Sequence, residues 1–526
     1  MIAGGDGRRA PVASWAPEPP RIKSGALRGN EIGAGRLFFV IPESPRERTA
    51  PGPTRRTIDD EYQRNRNATD HMTGMMTLDE LRQAVAAGEI DTVVAAQVDM
   101  QGRLMGKRFQ AEYFVDSAWQ EVHCCNYLFA TDLEMTTVEG YKSASWESGY
   151  GDYTLKPDLG TLRRIPWLAG TALVLCDTYD HHGHDLVPHA PRSILKRQVA
   201  RLEAMGMRAM MASELEFFLF RDSYEEAQAA AHRGLTPLSA YNADYHVFQT
   251  SKEEDVMRAI RKGLQGAGIP VENTKGEADA GQVEVNVRYA DALTMADRHA
   301  ITKNACKEIA WSKGRSITFM AKWNYAAAGN SSHVHQSLWS LDGAPLFLDA
   351  AAENGMSQTM RHYVAGLLHN ARDMTLFMAP YINSYKRFVK GTFAPTKVVW
   401  SLDNRTAGFR VCGAGGKGVR VECRVGGADL NPHLAMAAML AAGLDGIANR
   451  RELGPAFLGD AYGGQGVPEV PTTLREAIDA LDRSETMRAA LGDEVVDHYL
   501  HAARWEQTEY DRRVTDWEVG RGFERA

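Results

Sequence analysis

The chain has 526 residues, and its 60 Lys and Arg against 67 Asp and Glu leave a formal net charge of −7 at pH 7. The basic residues are dispersed, which excludes the concentrated positive surface of a nucleic-acid-binding protein. The longest apolar run, 434–442, is much shorter than the roughly 20 residues that cross a membrane. We therefore expect neither nucleic acid nor a membrane as a partner, and the length suits a small and a large domain.

The six cysteines form no Cys-x-x-Cys pair, and several of them lie within apolar runs. Such cysteines are typical of reduced, buried thiols in a cytosolic protein, so we predict a cytoplasmic location. The cysteines are Cys124, Cys125, Cys176, Cys306, Cys412 and Cys423.

The N-terminal 71 residues are rich in Arg, Pro and Gly and have no helical or strand period beyond a short apolar run at 37–41. Met72, Met75 and Met76 lie directly before the first clear helical pattern. We predict that 1–76 is either a disordered tail or sequence upstream of the true start codon, and we assign it no function.

A small α+β unit is predicted next along the chain. Residues 78–87 have an amphipathic helical pattern, and two strands at 92–98 and 104–109 flank a turn. A further strand at 171–176 completes the unit.

A helix over about 192–205 begins the large domain, and the C-terminal region is also helical. There, 473–476 reads as a capping box, and 497–519 reads as one long helix. Three aromatic residues are predicted to lie on its packing stripe, namely Tyr499, Trp505 and Trp517.

Two short strands carry carboxylates on one face. In 213–218, Glu214 and Glu216 point to the same side, and Glu284 lies in a second such run at 281–286. Neighbouring carboxylates repel each other unless a cation lies between them. A lone Glu-x-Glu pattern is ordinarily a solvent-exposed strand, so this pattern alone does not establish a site.

Two further strands have polar faces made of Glu, His and Arg, whereas solvated strands favour Lys, Thr and Ser. Such faces indicate the wall of a site for hard cations and anionic substrates. These residues are His333, His335 and Ser337 on one strand and Arg420, Glu422 and Arg424 on the other, with Glu277 in a polar loop.

Six segments occur in an order known from one family, and together they resemble the glutamine synthetase superfamily, in its bacterial class I-like branch. The resemblance extends from about Thr77 to the C-terminus. It implies an α+β fold, with an N-terminal β-grasp domain over 77–187 and a large α/β catalytic domain over 188–526 built on a curved antiparallel sheet. The segments are Ser-Glu-Leu-Glu-Phe-Phe-Leu-Phe (213–220), Ala-Gly-Gln-Val-Glu (280–284), Ser-His-Val-His-Gln-Ser (332–337), Ile-Asn-Ser-Tyr-Lys-Arg-Phe (382–388), Asp-Asn-Arg-Thr-Ala-Gly-Phe-Arg (403–410) and Val-Glu-Cys-Arg (421–424).

The resemblance implies two or more Mg²⁺ or Mn²⁺ ions per subunit, which neutralise ATP while glutamate attacks its terminal phosphorus. The implied metal ligands are Glu216, Glu277 and Glu284 for one ion and Glu214, His333 and Glu422 for the other.

The same resemblance implies the substrate contacts. Gly329, Arg387 and Arg424 match glutamate-binding positions. Arg405, Arg410 and Glu422 match catalytic positions, with the two arginines stabilising the transferring phosphoryl group. The positions that match ATP contacts are His335, Ser337, Arg405, Lys417 and Arg420.

The flap after Arg387 departs from the glutamine-forming members of the family. Those enzymes read Glu-Ala-Pro, whose glutamate helps to bind and deprotonate ammonium, whereas this chain reads Phe393-Ala394-Pro395. The family's second ammonium-site run is absent, and the corresponding stretch begins at Glu139. We take Phe393 and Glu139 as candidates for the amine site, where an aromatic ring favours a larger, partly apolar amine.

The prediction is therefore an ATP-dependent glutamate–amine ligase that forms a γ-glutamylamide through γ-glutamyl phosphate. Ethanolamine or another small amine or polyamine is the expected acceptor, because similar branches include γ-glutamylethanolamide and γ-glutamylpolyamine synthetases. Two alternatives stay open: an ammonia-using glutamine synthetase, and a catalytically silent oligomer with a structural or regulatory function. The resemblance also implies a homododecamer of two stacked hexameric rings.

Overall fold

The computed structural model describes residues 74–181 and 185–526. The predicted tail at 1–76 lies outside the described residues except for its last three. Of these, Met75 forms a β-bridge with Arg163, and Met76 is buried and donates its N–H to the Leu162 carbonyl at 3.0 Å. The folded part of the chain therefore includes residues before 77.

Strands in the N-terminal part of the described chain form one mixed sheet. They are β1 (Thr92–Val98), β2 (Leu104–Gln110), β3 (Val122–Cys125), β4 (Asp152–Pro157), β5 (Arg163–Arg164) and β6 (Thr171–Asp180). The order is β2-β1-β6-β4-β3, with β5 paired to β6. β1 and β2 are the predicted antiparallel hairpin, and β6 returns parallel to β1 in the centre, as a β-grasp fold requires.

A second sheet lies in the large part of the chain. Its strands are β7 (Met207–Phe220), β8 (Val271–Gly276), β9 (Gln282–Val287), β10 (Ala290–Asp291), β11 (Ser316–Thr318), β12 (Val334–Ser340), β13 (Trp400–Leu402), β14 (Phe409–Cys412) and β15 (Arg420–Cys423). The order is β13-β14-β15-β12-β7-β9-β8, with β10 and β11 also paired to β7. The pairs are antiparallel except for β13 with β14. β7 alternates as predicted, because Leu215 and Phe217 enter the core while the glutamates lie on the opposite face.

Helices cover the core and connect the strands. They are α1 (Leu78–Ala86), α2 (Ala111–Tyr113), α3 (Pro191–Ala204), α4 (Tyr224–Ala229), α5 (Val247–Thr250), α6 (Glu254–Gly266), α7 (Ala292–Ser312), α8 (Gln358–His369), α9 (Ala371–Met378), α10 (Pro432–Ala448), α11 (Leu474–Asp482), α12 (Glu485–Leu491), α13 (Asp493–Asp511) and α14 (Asp516–Gly522). α10 is apolar nearly all round and buried, as expected for a central core helix. It approaches α8 closely at Gly366 and Gly446, where an added Cβ would meet a backbone oxygen at 2.2 or 2.1 Å.

The predicted long C-terminal helix is wrong in its extent. The observed helix α13 ends at Asp511. A separate helix, α14, begins after Thr515, whose hydroxyl accepts from the Glu518 N–H in a capping box. Trp517 is consequently exposed rather than packed, whereas Tyr499 is buried as expected. Half of the capping box predicted at 473–476 forms, because the Thr473 hydroxyl accepts from the Glu476 N–H at 3.2 Å, whereas the Glu476 carboxylate accepts from the N–H of Thr472 instead of Thr473.

No helix among the described residues is long and apolar enough to cross a membrane. The α+β class predicted from the sequence is confirmed by the two sheets and the helices around them.

Candidate active site

Two cavities lie next to each other on the polar face of the second sheet. One has a volume of about 560 Å³ and the other of about 530 Å³. Both are lined by Glu214, Asn273 and Asn286, so the two spaces meet at the edge of β7 and β9. We call the first the catalytic cavity and the second the nucleotide cleft. Two reactants that enter separately can meet at this junction.

Three carboxylates converge in the catalytic cavity. β7 and β9 place Glu216 directly opposite Glu284, and Glu277 follows the end of β8. One oxygen from each lies within 4.8 Å of the others. Burial and the neighbouring Glu277 raise the pKa of Glu216, and burial and the nearby Glu214 raise that of Glu284. The cluster is electrostatically unfavourable as three carboxylates alone.

A second triad joins Glu214 on β7, His333 directly before β12, and Glu422 on β15. His333 Nδ1 lies 2.8 Å from Glu214 Oε2 and 3.6 Å from Glu422 Oε1. Burial alone raises the pKa of Glu214, but hydrogen bonds from His333 and His335 outweigh it and hold that pKa well below its usual range. This triad is therefore compensated more fully than the first, where Lys275 pairs with Glu277 but the pKa values of Glu216 and Glu284 stay raised.

Glu422 is the most enclosed member of the second triad. Arg410 Nη1 donates to its Oε2 at 2.8 Å, and Arg424 Nη1 donates to its Oε1. Burial acts to raise the pKa of Glu422, but the nearby His333, Arg424 and His335 outweigh it and lower that pKa to about 2. Glu422 is thus held as a carboxylate that faces His333.

The donor sets of both triads fit hard divalent cations. Carboxylate oxygens with at most one imidazole are the ligands of Mg²⁺ and Mn²⁺ rather than of structural zinc. The repulsion in the first triad is the kind that a bound cation relieves. In the second triad, His333 Nε2 is buried without a hydrogen-bond partner in the described chain. These are the same two sets that the sequence resemblance implied.

The nucleotide cleft contains four of the predicted ATP contacts. They are His335, Ser337, Lys417 and Arg420. Arg420 Nε donates to His335 Nδ1 at 3.1 Å, which leaves the Nε2 of His335 to donate to Glu214 at 2.8 Å. The fifth, Arg405, lies instead in the catalytic cavity, in the loop after β13. A basic wall with flat aromatic side chains, Trp339 and Tyr289, suits a polyanionic nucleotide.

The predicted glutamate contacts divide into two groups. Arg424 and Gly329 line the catalytic cavity. Arg387 is only 1% exposed, and its guanidinium donates to Ser331 Oγ at 3.0 Å and to the backbone carbonyls of Arg424 and Val425. The structure therefore places Arg387 behind the cavity wall, and its contact with glutamate stays a prediction.

Gly329 is required by the position of Arg387. A Cβ at residue 329 would lie 2.3 Å from the Arg387 Cγ and 2.8 Å from the Ala321 carbonyl oxygen. Any side chain would therefore push Arg387 away from its backbone partners.

The two amine-site candidates lie in different places. Phe393 lines the catalytic cavity and is 57% exposed as a residue, and its carbonyl accepts from Arg424 Nη2 at 3.3 Å. Glu139 is exposed in a turn, where its carbonyl accepts from His501 at 2.7 Å, and it lines neither cavity of this chain. Within one chain, the structure brings only Phe393 to the site.

Several cavity residues are not apparent from the sequence. Lys275 lies opposite Glu284 and forms ion pairs with Glu277 and with Asp244 at 3.0 Å. Asp403 lines neither cavity, but it binds the guanidinium of the cavity residue Arg410, whose Nε donates to it at 3.1 Å. Asp403 precedes the predicted Arg405 by two residues, so its motif offered a signal, whereas Asp244 lies in a loop with no motif.

Comparison with known proteins gives a family and several relatives. Residues 188–521 match the family described as glutamine synthetase, catalytic domain. The chain is 49% identical over 455 residues to the gamma-glutamylethanolamide synthetase GlnA4 of Streptomyces coelicolor, covering 86% of this chain and 97% of that protein. It is 36% identical over 447 residues to the glutamate–isopropylamine ligase of a Pseudomonas species, covering 84% and 97%. Among solved structures, the GmaS/ADP complex matches with a TM-score of 0.74 and 27% identity, covering 86% of this chain and 100% of that one.

Proposed function

Because the chain belongs to the glutamine synthetase family and is an ATP-dependent ligase, we propose that it joins glutamate to a small primary amine. A γ-carboxylate oxygen of glutamate attacks the terminal phosphorus of ATP, and ADP leaves. The amine nitrogen then attacks the acyl carbon of the γ-glutamyl phosphate, phosphate leaves, and the nitrogen loses a proton. The product is a γ-glutamylamide.

The two triads are proposed to hold two Mg²⁺ or Mn²⁺ ions, Glu216, Glu277 and Glu284 at one and Glu214, His333 and Glu422 at the other. When bound, these ions supply positive charge beside the phosphates. The chain's own arginines act on the same charge: Arg405 and Arg410 stabilise the transferring phosphoryl group, and Arg420 orients the nucleotide with Lys417. The arrangement of two cavities meeting at Glu214 supports in-line transfer between them.

Arg424 is proposed to bind a carboxylate of glutamate from the cavity wall, because a guanidinium fork matches carboxylate geometry. Gly329 offers its backbone on the same wall. Arg387 supports this wall through Ser331 and the Arg424 carbonyl.

The single observation that favours an amine over ammonia is that a phenylalanine, Phe393, lines the catalytic cavity. A phenyl ring offers apolar surface for methylenes and a cation–π contact, but no base and no negative charge. The names of two relatives, gamma-glutamylethanolamide synthetase and glutamate–isopropylamine ligase, agree with a small amine. Ethanolamine is therefore our first choice of acceptor, with other small amines or polyamines next.

The test is phosphate release from ATP with glutamate and each of ammonia, ethanolamine, methylamine, isopropylamine and polyamines. We expect an alkylamine to give a higher kcat/KM than ammonia. If ammonia exceeds every amine, the enzyme is an ordinary glutamine synthetase. If no acceptor releases phosphate, the chain is a catalytically silent member of the family.

A homododecamer is proposed for the assembly, with each site completed by a neighbouring small domain. The absence of Glu139 from both cavities of one chain is compatible with a contribution from a neighbour. The solution mass measured by light scattering tests this, because a fully active monomer would contradict it.

A further inference from the structure

Cys412 is a buried cysteine that the proposed reaction does not use, yet its sulfur lies close to Glu422 of the second triad. Cys412 is on β14, with Glu422 on the neighbouring β15 and His335 on β12 beyond it. His335 pairs directly with Glu422 across β12 and β15. Register thus brings a sulfur, an imidazole and a carboxylate to one face of three adjacent strands.

The spacing of these three side chains suits a tetrahedral metal ion. The ligand atoms of Cys412, His335 and Glu422 all lie within 4.8 Å of one another, and Cys412 Sγ is 3.5 Å from Glu422 Oε2. Bonds of about 2.0–2.3 Å to zinc place tetrahedral ligands roughly 3.3–3.8 Å apart. The Cys412–Glu422 distance already falls in that range.

The donor set differs in kind from the two triads described above. Sulfur with imidazole selects Zn²⁺ and related thiophilic ions, whereas Mg²⁺ binds thiolates poorly. The three residues are buried on strands, which holds their relative positions. His335 also borders the nucleotide cleft, which gives an ion a route from solvent.

We propose that Cys412, His335 and Glu422 form a separate binding site for a thiophilic divalent cation of the Zn²⁺ type, and that occupancy of this site inhibits the enzyme. The inhibition rests on the proposed function, because Glu422 is also the proposed ligand of a catalytic metal. The ion binds the Cys412 thiolate, and the thiol proton passes to solvent.

Inhibition follows from what the ion displaces. Both ring nitrogens of His335 are engaged, one by Arg420 and the other by Glu214. A bound ion must break one of these contacts, which releases either the arginine at the nucleotide cleft or the Glu214 carboxylate. The ion also displaces Arg410, whose Nη1 donates to the same Glu422 Oε2 that faces Cys412. Binding at this site is therefore incompatible with the arrangement proposed for catalysis.

The binding step is tested with Co²⁺, which reports a bound thiolate through a near-ultraviolet charge-transfer absorption. Carboxylate and imidazole sites do not give that band. We expect it in the wild-type protein and in Cys125→Ser, which removes a partly exposed thiol elsewhere. We expect the band to be lost in Cys412→Ser and in Cys412→Ala. If one of these variants fails to fold, the other one still tests the site. A wild-type protein without the band, or a band that persists without Cys412, would overturn the site.

The inhibition step is tested by phosphate release with Zn²⁺ added at several Mg²⁺ concentrations. Cys412→Ser should need about tenfold or more Zn²⁺ for half inhibition while keeping its activity without Zn²⁺. In the wild type, raising the Mg²⁺ concentration should relieve the inhibition, because Mg²⁺ and Zn²⁺ compete for Glu422 as a ligand. Equal sensitivity of wild type and Cys412→Ser would overturn the inhibitory site. Failure of the proposed acceptor would instead leave the Co²⁺ band unchanged, so the two outcomes are distinguishable.

Discussion

Phe393 has a backbone φ of +56°, a left-handed conformation that a bulky side chain rarely adopts. Such a conformation costs on the order of 1–3 kcal/mol and persists where neighbouring contacts maintain it. Here the Phe393 carbonyl accepts from Arg424, a proposed substrate-binding residue. This strained backbone conformation therefore connects Phe393, on the cavity wall, to Arg424 at the proposed glutamate site.

Replacing Phe393 with Glu should raise ammonia-dependent kcat/KM by about tenfold or more and lower that for the alkylamine. A carboxylate attracts ammonium and accepts its proton, and a positioned base contributes about 10²–10⁴ in rate. The measurement is phosphate release with both acceptors. Phe393→Leu is the matched control, because it removes the ring and adds no base. An equal gain in Phe393→Leu would show that the carboxylate is not the cause.

Glu216 and Glu284 predict a pH-dependent effect of Mg²⁺ on stability. Their pKa values are raised in the fold, so the folded protein holds protons that the unfolded chain releases from about pH 4.3 upward. Without metal, these groups therefore lower stability progressively as pH rises above that value. Mg²⁺ binds their ionised form, so the increase in Tm on adding Mg²⁺ should be larger at about pH 9 than at about pH 6.

Thermal unfolding with and without Mg²⁺ at the two pH values is the measurement. Glu284→Gln is the control, because it removes one repelling charge and one metal ligand and should shrink the difference between the two pH values. An equal Mg²⁺ effect at both pH values in the wild type would contradict the prediction.

At the scale of elements, the loop at 322–330 connects Gly329 on the wall of the catalytic cavity to the segment that follows Glu277. Asp279, two residues after Glu277, accepts from the Ala328 N–H through Oδ2 at 2.8 Å. Lys322 Nζ donates to the Ala327 carbonyl and closes the same loop. Its tip, Tyr325, is 98% exposed. Asp279 thus holds the residue before Gly329, whose own carbonyl accepts from Gln282 Nε2 at 3.0 Å.

Asp279→Ala should loosen this loop and raise the KM for glutamate. Losing one hydrogen bond of about 1 kcal/mol or more corresponds to roughly fivefold or greater opening. Chymotrypsin cleavage after the exposed Tyr325 should accelerate by a similar factor. Asp279→Asn keeps a carbonyl acceptor and should stay near wild type. If both variants are cleaved at the wild-type rate, Asp279 does not hold the loop.

At the scale of the whole molecule, a buried arginine connects the two sheets. Arg192 on α3 donates to Asp297 on α7 at 2.9 and 2.8 Å and also binds Asp177 on β6 of the first sheet. His433 on α10 lies 2.9 Å from the same Asp297. The network joins the β-grasp sheet to the helices behind the catalytic sheet.

Arg192→Met should reduce the free energy of unfolding by about 3–5 kcal/mol, because it leaves Asp297 buried without its guanidinium partner, whereas Asp177 keeps its ion pair with Lys196. Urea denaturation measures the loss. Arg233→Met is the control, since Arg233 and its partner Asp516 are both largely exposed and contribute little. If both variants lost a similar amount of unfolding free energy, burial of the Arg192 ion pairs would not be the cause of the loss.

Local patterns in the sequence determined much of this protein. Alternation placed Glu214 and Glu216 on one face of β7, and the hairpin of β1 and β2 matches the predicted strands to within one residue. These features depend on neighbours within a few positions, so the chain itself specifies them. The ordered motifs also identified the family and the ligase activity, both of which the comparisons confirm.

Other features were decided only by tertiary structure. Three contacts join segments that are distant in the chain. They are the burial of Arg387 behind Gly329, the pairing of Lys275 with Asp244, and the approach of Cys412 to Glu422. Which side chains meet across a sheet depends on strand order and register, and a shift of one residue would turn every contact to the other face. The sequence by itself therefore determined which chemical groups this protein has and on which strand faces they lie. Only the tertiary structure decided which of them touch, because that is set by register between strands far apart in sequence.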